Sequence, residues 1–285
     1  GQESLLEACN HVGGRYSLAF IAAISNGRLF HRCCSKDRGE ACTPSRQQFE
    51  QGGELDDATM LLVLIAELTR ATKMPDMFFL FNVGDQPFTD KVYWSPVPQF
   101  HWVKAFGHWG IPLPNPFQLR AHLSNSLGDN PLMRQHHVPW QKKIPKVFWR
   151  GSLSAPDRVI LSDAGTMPRV RLMHLANKHP HLFDVGITDV DPEFLQHSGN
   201  RQKVQALVDS LHMTGHVNSK QHSPKYRYII NTAAVLSSWR LSEMLTTGSV
   251  LLLQESSDYE LIYAWLTPWE HYVPINQGMG DLVDK

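Results

Sequence analysis

The stretch "NTAAVLSSWRLSEMLTTGSVLLLQE", residues 231–255, carries two apolar, strand-like runs on either side of a short helical pattern. That pattern opens with Ser237, Ser238, Trp239 and Arg240. Arg240 therefore falls in the first turn of a helix, the end whose dipole disfavours a cation. The penalty disappears if an anion lies between the guanidinium and the exposed amides of the helix start. Glu243, three residues on, is the competing partner. An i, i+3 pair of that kind contributes only roughly 0.2–0.5 kcal/mol.

Outward from this stretch, the back half of the chain alternates regularly. "KVFWRGS" reads as a strand, "PRVRLMHLANKH" as a helix begun by Pro168, and "LFDVGIT" as a strand. A helical piece near residues 203–211 precedes the strand "KYRYIINT" and the helix from Ser238. The strand "SVLLLQ", a helix "YELIYAWL" and a strand "HYVPI" complete the series. Such alternation predicts a parallel sheet covered on both faces. Ligands of open parallel sheets bind beyond the carboxyl ends of the strands. There "FWRGSLSAPDR" supplies Arg150, Gly151, Ser152 and Arg158, and "VLSSWR" supplies Ser237, Ser238 and Arg240. Hydroxyls, helix-start amides and guanidiniums together make a phosphate cradle. Neither G-x-G-x-x-G nor G-x-x-x-x-G-K-[ST] occurs, which disfavours a dinucleotide fingerprint and a P-loop.

In the front half, strand-like residues flank Ser25-Asn26-Gly27, and Asn-Gly is the strongest short hairpin signal. Asp56 and Asp57 open an amphipathic helix, "DDATMLLVLIAELTRAT", with Arg70 and Lys73 near its finish. "DMFFLFNVGDQP" reads as a buried strand ending at Gly84-Asp85, with Pro87 barring extension. A lone carboxylate at a strand end suits a general base that deprotonates a hydroxyl. On local grounds alone, an Asx-turn that merely ends the strand is the stronger reading of Asp85. Residues 86–145, rich in Pro, Trp and His, read as long loops and short helices. The boundary between halves falls near "VPWQKKIPK", dividing residues 1–140 from 141–285.

The bulk numbers narrow the function class. The 285 residues are 42% hydrophobic and 19% charged, enough to bury two cores. Lys+Arg and Asp+Glu both count 27, a balance that argues against a nucleic-acid partner. The longest wholly apolar run, residues 60–66, is too short to span a bilayer. Nothing at the amino terminus resembles a signal peptide. Cys9, Cys33, Cys34 and Cys42 lack C-x-x-C spacing, so they read as disulfides or buried thiols rather than metal ligands. His136-His137, His179/His181 and His216/His222 have no metal-binding spacing, and "DVD" at 189–191 reads as a loop or helix cap.

Taken in order, several segments resemble glycosyltransferase family 90, the group of KDEL-type protein O-glucosyltransferases and fungal capsule xylosyltransferases. They are "NGRLF…CTPSR", "MPDMFFLFNVGDQP", "PWQKKIPKVFWRGS…PDR", "SPKYRYIINTAAVLSSWR", "GSVLLL" and "LTPWEHYVPI". The resemblance runs from about residue 15 to 280 and matches least over 88–135. It implies an α/β fold of GT-B type: two Rossmann-like domains facing across a cleft, an acceptor-side domain over 1–140 carrying the base and a nucleotide-sugar-binding domain over 141–285. Family members continue beyond "HYVPI" with further helices, so the second domain is expected to be truncated here. The implied reaction moves a hexose or pentose from a UDP-sugar to a hydroxyl of a protein or glycan. It inverts the anomeric centre and needs no metal or other cofactor. On the matching positions, Asp85 is the base, and Ser152 and Arg158 are donor contacts. Val235, Leu236, Ser237, Ser238, Trp239 and Arg240 form the diphosphate- and uridine-binding loop. Arg150 and Gly151 lend donor-side support. The resemblance also implies the lumen of the endoplasmic reticulum or Golgi. Two alternatives stand beside it: a catalytically silent carbohydrate- or protein-binding module on the same fold, and another nucleotide-dependent enzyme such as an oxidoreductase.

Overall fold

The computed structural model describes residues 19–33, 57–82, 98–105, 110–123, 136–154, 167–191, 201–211, 213–215, 217–233 and 238–285. The chain divides into two compact units. The first holds residues 1–123 together with Asp258–Leu261, and the second holds the remainder.

The first unit is built on a mixed sheet. Strands β1 (Ala19–Ser25) and β2 (Arg28–Cys33) form the hairpin that Asn-Gly predicts. Asn26 and Gly27 take φ of 50° and 69°, left-handed values that few other residue pairs tolerate. The hairpin tip is tied to Asp76, whose carboxylate accepts from the Asn26 amide at 2.8 Å and the Ser25 hydroxyl at 3.2 Å. Helix α1 (Asp57–Ala71) buries Met60, Leu61 and Leu62, and Arg70 lies in its last turn, where the dipole favours a cation. Strand β3 (Met77–Asn82) pairs antiparallel with β1 and buries Phe79, Leu80, Phe81 and Asn82. Short strands β4 (Gln99–His101), β5 (Val103–Ala105) and β6 (Ile111–Pro112) follow, and the sheet order is β2-β1-β3-β4-β6. The stretch expected to be loops and short helices therefore contains strands. They are too short to show periodicity; β4 is fixed by pairing with β3, and β6 by pairing with β4. Asn115 caps helix α2 (Pro116–Leu123) in a reciprocal box with Gln118.

The second unit is a five-stranded sheet, parallel throughout. Strand β7 (Ile144–Leu153) leads through α3 (Pro168–Lys178) to β8 (Phe183–Val190). Helix α4 (Arg201–Ser210) and one-turn helix α5 (Ser219–His222) precede β9 (Tyr226–Asn231). A short α6 (Leu241–Met244) leads to β10 (Val250–Gln254). The segment Asp258–Glu260, expected to open a helix, is instead strand β11. It pairs antiparallel with β5 in the first unit, and Asn115 donates to its buried Glu260. Only a 3-10 turn, Leu261–Trp265, remains of that expected helix. Pairing with a strand some 150 residues away overrides the local helical pattern. Strand β12 (Val273–Ile275) completes the sheet, in the order β12-β10-β9-β7-β8.

Both faces of this sheet are covered, as continuous apolar strands require. Val147, Trp149, Ile187, Ile230, Leu252 and Ile275 share one core with Val170, Leu172 and Met173 of α3. Phe148, Ile229, Leu251 and Leu253 pack on the other face with Leu241 and Met244 of α6. Buried Lys143 ties the strand starts together, donating to the Pro224 carbonyl at 2.5 Å and to the Thr247 carbonyl and Ser249 hydroxyl at 3.0 Å each. Among the described residues, no helix is long and apolar enough to cross a membrane.

Candidate functional site

The polar groups of the second unit converge at the carboxyl end of β7. The β7–β8 register shifts between Gly151 and Ser152, so the strand bulges where its side chains turn functional. The Arg150 side chain folds away toward β8. Its Nη2 meets Asp184 Oδ1 at 2.5 Å, and Nη1 donates to the Asp184 and Trp149 carbonyls at 2.8 and 2.9 Å. The Tyr226 hydroxyl donates to the same carboxylate. What Arg150 offers the site is its backbone: Nη1 of Arg240 donates to the Arg150 carbonyl at 2.8 Å.

Arg240 itself does not lie within a helix. It occupies the N-cap position of α6, with φ −78° and ψ 4°, and the helix that follows has four residues. The apolar run expected to be helical from Ser238 begins its helix at Leu241. Nε of Arg240 donates to Ser238 Oγ at 3.3 Å. Burial lowers its pKa, against the opposing charge of Glu243. Gly151 makes room for this side chain: a Cβ there would lie 3.1 Å from Arg240 Nη2 and 2.8 Å from Trp149 Cζ2.

A second guanidinium completes the group. Arg169, in the first turn of α3, is 5% exposed. Its Nη1 donates to the Ser152 carbonyl at 2.5 Å and the Ser154 hydroxyl at 2.8 Å, with Ser152 Oγ at 3.4 Å. Its Nε is buried without a hydrogen-bond partner. Burial above all, and then the charge of Arg240, push its pKa down to about 9, while Asp191 pulls the other way. Two desolvated cations, of which Arg240 depresses the protonation of Arg169, stand together at the carboxyl edge of a parallel sheet, where an anion would be favoured.

Sequence reasoning overlooked Arg169, although the signal was present. Like Arg240 it stands at the positive end of a helix, and α3 has no acidic residue in its first turn to offset it. Of the residues expected at the site, the structure brings together Gly151, Ser152, Ser238 and Arg240, with Trp239 half-buried beside them in sequence and Arg150 joined through its carbonyl. Asp85, Arg158, Val235, Leu236 and Ser237 lie outside the described residues. Among the described residues, no group of three or more His, Cys, Asp or Glu side chains gathers as metal ligands.

The profile of glycosyl transferase family 90 matches residues 46–284. Protein O-glucosyltransferase 2 of Danio rerio is 30% identical over 227 residues, which cover 78% of this chain and 41% of the relative. Protein O-glucosyltransferase 3 of Homo sapiens is 27% identical over 232 residues, covering 78% and 41%. Protein O-glucosyltransferase 1 of Homo sapiens is 25% identical over 227 residues, covering 74% and 51%. The matched part thus spans between two fifths and about half of each relative's length. With a family match over most of its length, the chain belongs to glycosyl transferase family 90.

Proposed function

We propose that the chain transfers a hexose or pentose from a UDP-sugar to a hydroxyl group of a protein acceptor, with inversion and without a metal. The pair Arg169 and Arg240 carries this reading, because its two cations match the charge of a nucleoside diphosphate. The names of the relatives, all protein O-glucosyltransferases, support a protein acceptor and a glucosyl donor. The family resemblance supports a GT-B arrangement of two Rossmann-like domains across a cleft, and the lumen of the secretory pathway as the site of action.

In this reading Asp85 takes the proton of the acceptor hydroxyl as its oxygen attacks the anomeric carbon. The bond from that carbon to the diphosphate oxygen breaks on the opposite face, and its electron pair leaves with UDP. Arg169 and Arg240 stabilise the charge that develops there, aided by the loop over 235–239. The work that a divalent cation does elsewhere falls to guanidiniums already in place.

A panel of UDP-sugars screened by melting temperature tests the donor assignment. A donor at a hundred times its Kd adds about 2.7 kcal/mol to stability, a rise of several degrees. Asp85→Asn is expected to abolish transfer and leave that rise intact, and a chelator is expected to leave transfer unchanged. No response to any UDP-sugar overturns the reading. Response without transfer by the wild type identifies a silent binding module instead.

A further inference from the structure

Two like charges held together in a dry site repel, and something must keep them from splaying apart. Both lie against the ring of Trp149, which is 1% exposed on β7. The guanidinium carbon of Arg169 lies 5.4 Å from its ring centroid and that of Arg240 lies 6.0 Å away. Both distances fall within the range where the negative face of an indole attracts a cation. Two residues along the strand, Gly151 has no side chain, and the indole edge fills that space: Cζ2 and Cη2 would be 2.8 and 3.2 Å from a Cβ there. The indole N–H is buried without a hydrogen-bond partner. Leaving that donor unpaired is costly, and a phenylalanine would pack without the cost. The ring face, which is richer in Trp than in Phe, compensates by serving two cations at once.

We propose that Trp149 is a positioning residue, a shared aromatic platform that holds Arg169 and Arg240 in register for the two phosphates of the donor. The inference rests on the donor reading above. A preorganised pair of cations binds a diphosphate without first being driven together, so the platform acts on affinity.

Calorimetric titration of UDP, and separately of inorganic pyrophosphate, into the full chain tests this. Trp149→Phe keeps an aromatic face and is expected to bind both within about threefold of wild type. Trp149→Met fills the space without a face and is expected to weaken both by about tenfold, with the ligand-free melting temperature of the two variants alike. Site-specific replacement of Trp149 by mono-, di- and trifluorotryptophan keeps shape and packing while draining the ring face of charge. It is expected to weaken pyrophosphate binding step by step, a response that a merely structural indole would not give, and it decides the matter if Trp149→Met fails to fold. Wild-type affinity across the fluorinated series overturns the platform and leaves the donor reading standing. Wild-type protein that binds neither ligand overturns both.

Discussion

Nη1 of Arg240 donates to the backbone carbonyl of Arg150 at 2.8 Å, which fastens the start of α6 to the carboxyl end of β7. One arginine thus reads the other's backbone, while the second arginine's side chain is turned to Asp184. The two share a motif-like appearance in sequence and do different work. Arg240 is desolvated at the carboxyl edge of the sheet, and Arg150 braces the strand beside it.

Arg240 and Arg169 should separate function from stability. Arg240→Met removes a charge-assisted partner of the donor and is expected to weaken UDP binding about 10- to 100-fold. Its ligand-free stability should change by less than about 1 kcal/mol, because relief of repulsion on Arg169 offsets the lost bond to Arg150. Arg169→Met also releases Ser152 and Ser154, and is expected to cost about 2–3 kcal/mol of stability as well as affinity. Urea unfolding and calorimetry on the two variants would show the contrast. Equal destabilisation would contradict it.

The Asp184–Tyr226 contact sets a pH window for the second unit. Burial alone would raise the Asp184 carboxyl, but hydrogen bonds from Tyr226 and Arg150 outweigh it and hold the group below its usual 3.8. Its contribution is therefore fully present above about pH 4 and is lost as pH falls through the lower folded value. Burial first, and Asp184 second, push the Tyr226 phenol up to about 12. That contribution is fully present below about pH 10 and is lost as pH rises through 12. Tyr226→Phe is expected to cost about 1 kcal/mol between these limits, modest because Asp184 is partly exposed. The gap from wild type should close at both extremes; a gap independent of pH would refute the pairing.

Gly151→Ala places a methyl group 2.8 Å from Trp149 and 3.1 Å from Arg240. Neither neighbour is a free chain end: the indole is packed in the core, and Arg240 is held by Arg150 and Ser238. The variant is expected to lose about 1–3 kcal/mol of stability and at least tenfold in UDP affinity. Full affinity in a folded variant would show that Arg240 can move without penalty.

Local chemistry settles some of this protein in the sequence itself. Asn26-Gly27 makes a hairpin because the turn needs two left-handed residues, and those two supply them wherever the chain goes. Pro168 opens α3 because its missing amide hydrogen has no partner in a first turn anyway. The parallel sheet of the second unit is legible because strands buried on both faces carry continuous apolar runs, and β9 and β10 have them over residues 228–230 and 250–253. Family membership follows from the order of such segments, and the matching stretch over 46–284 agrees.

What folding alone decides is which cations go inside. Arg169 and Arg171 stand two apart at the start of α3, alike in charge and local setting. The first is buried against Ser152 and Ser154, and the second reaches the Gly278 carbonyl at 3.3 Å. Nothing within the helix distinguishes them; the approach of β7 to one side of it does. The same holds for Asp258–Glu260, helical by local pattern and a strand because β5 lies alongside. Desolvation and strand pairing are properties of surroundings that arrive from far along the chain, and no window of neighbouring residues contains them.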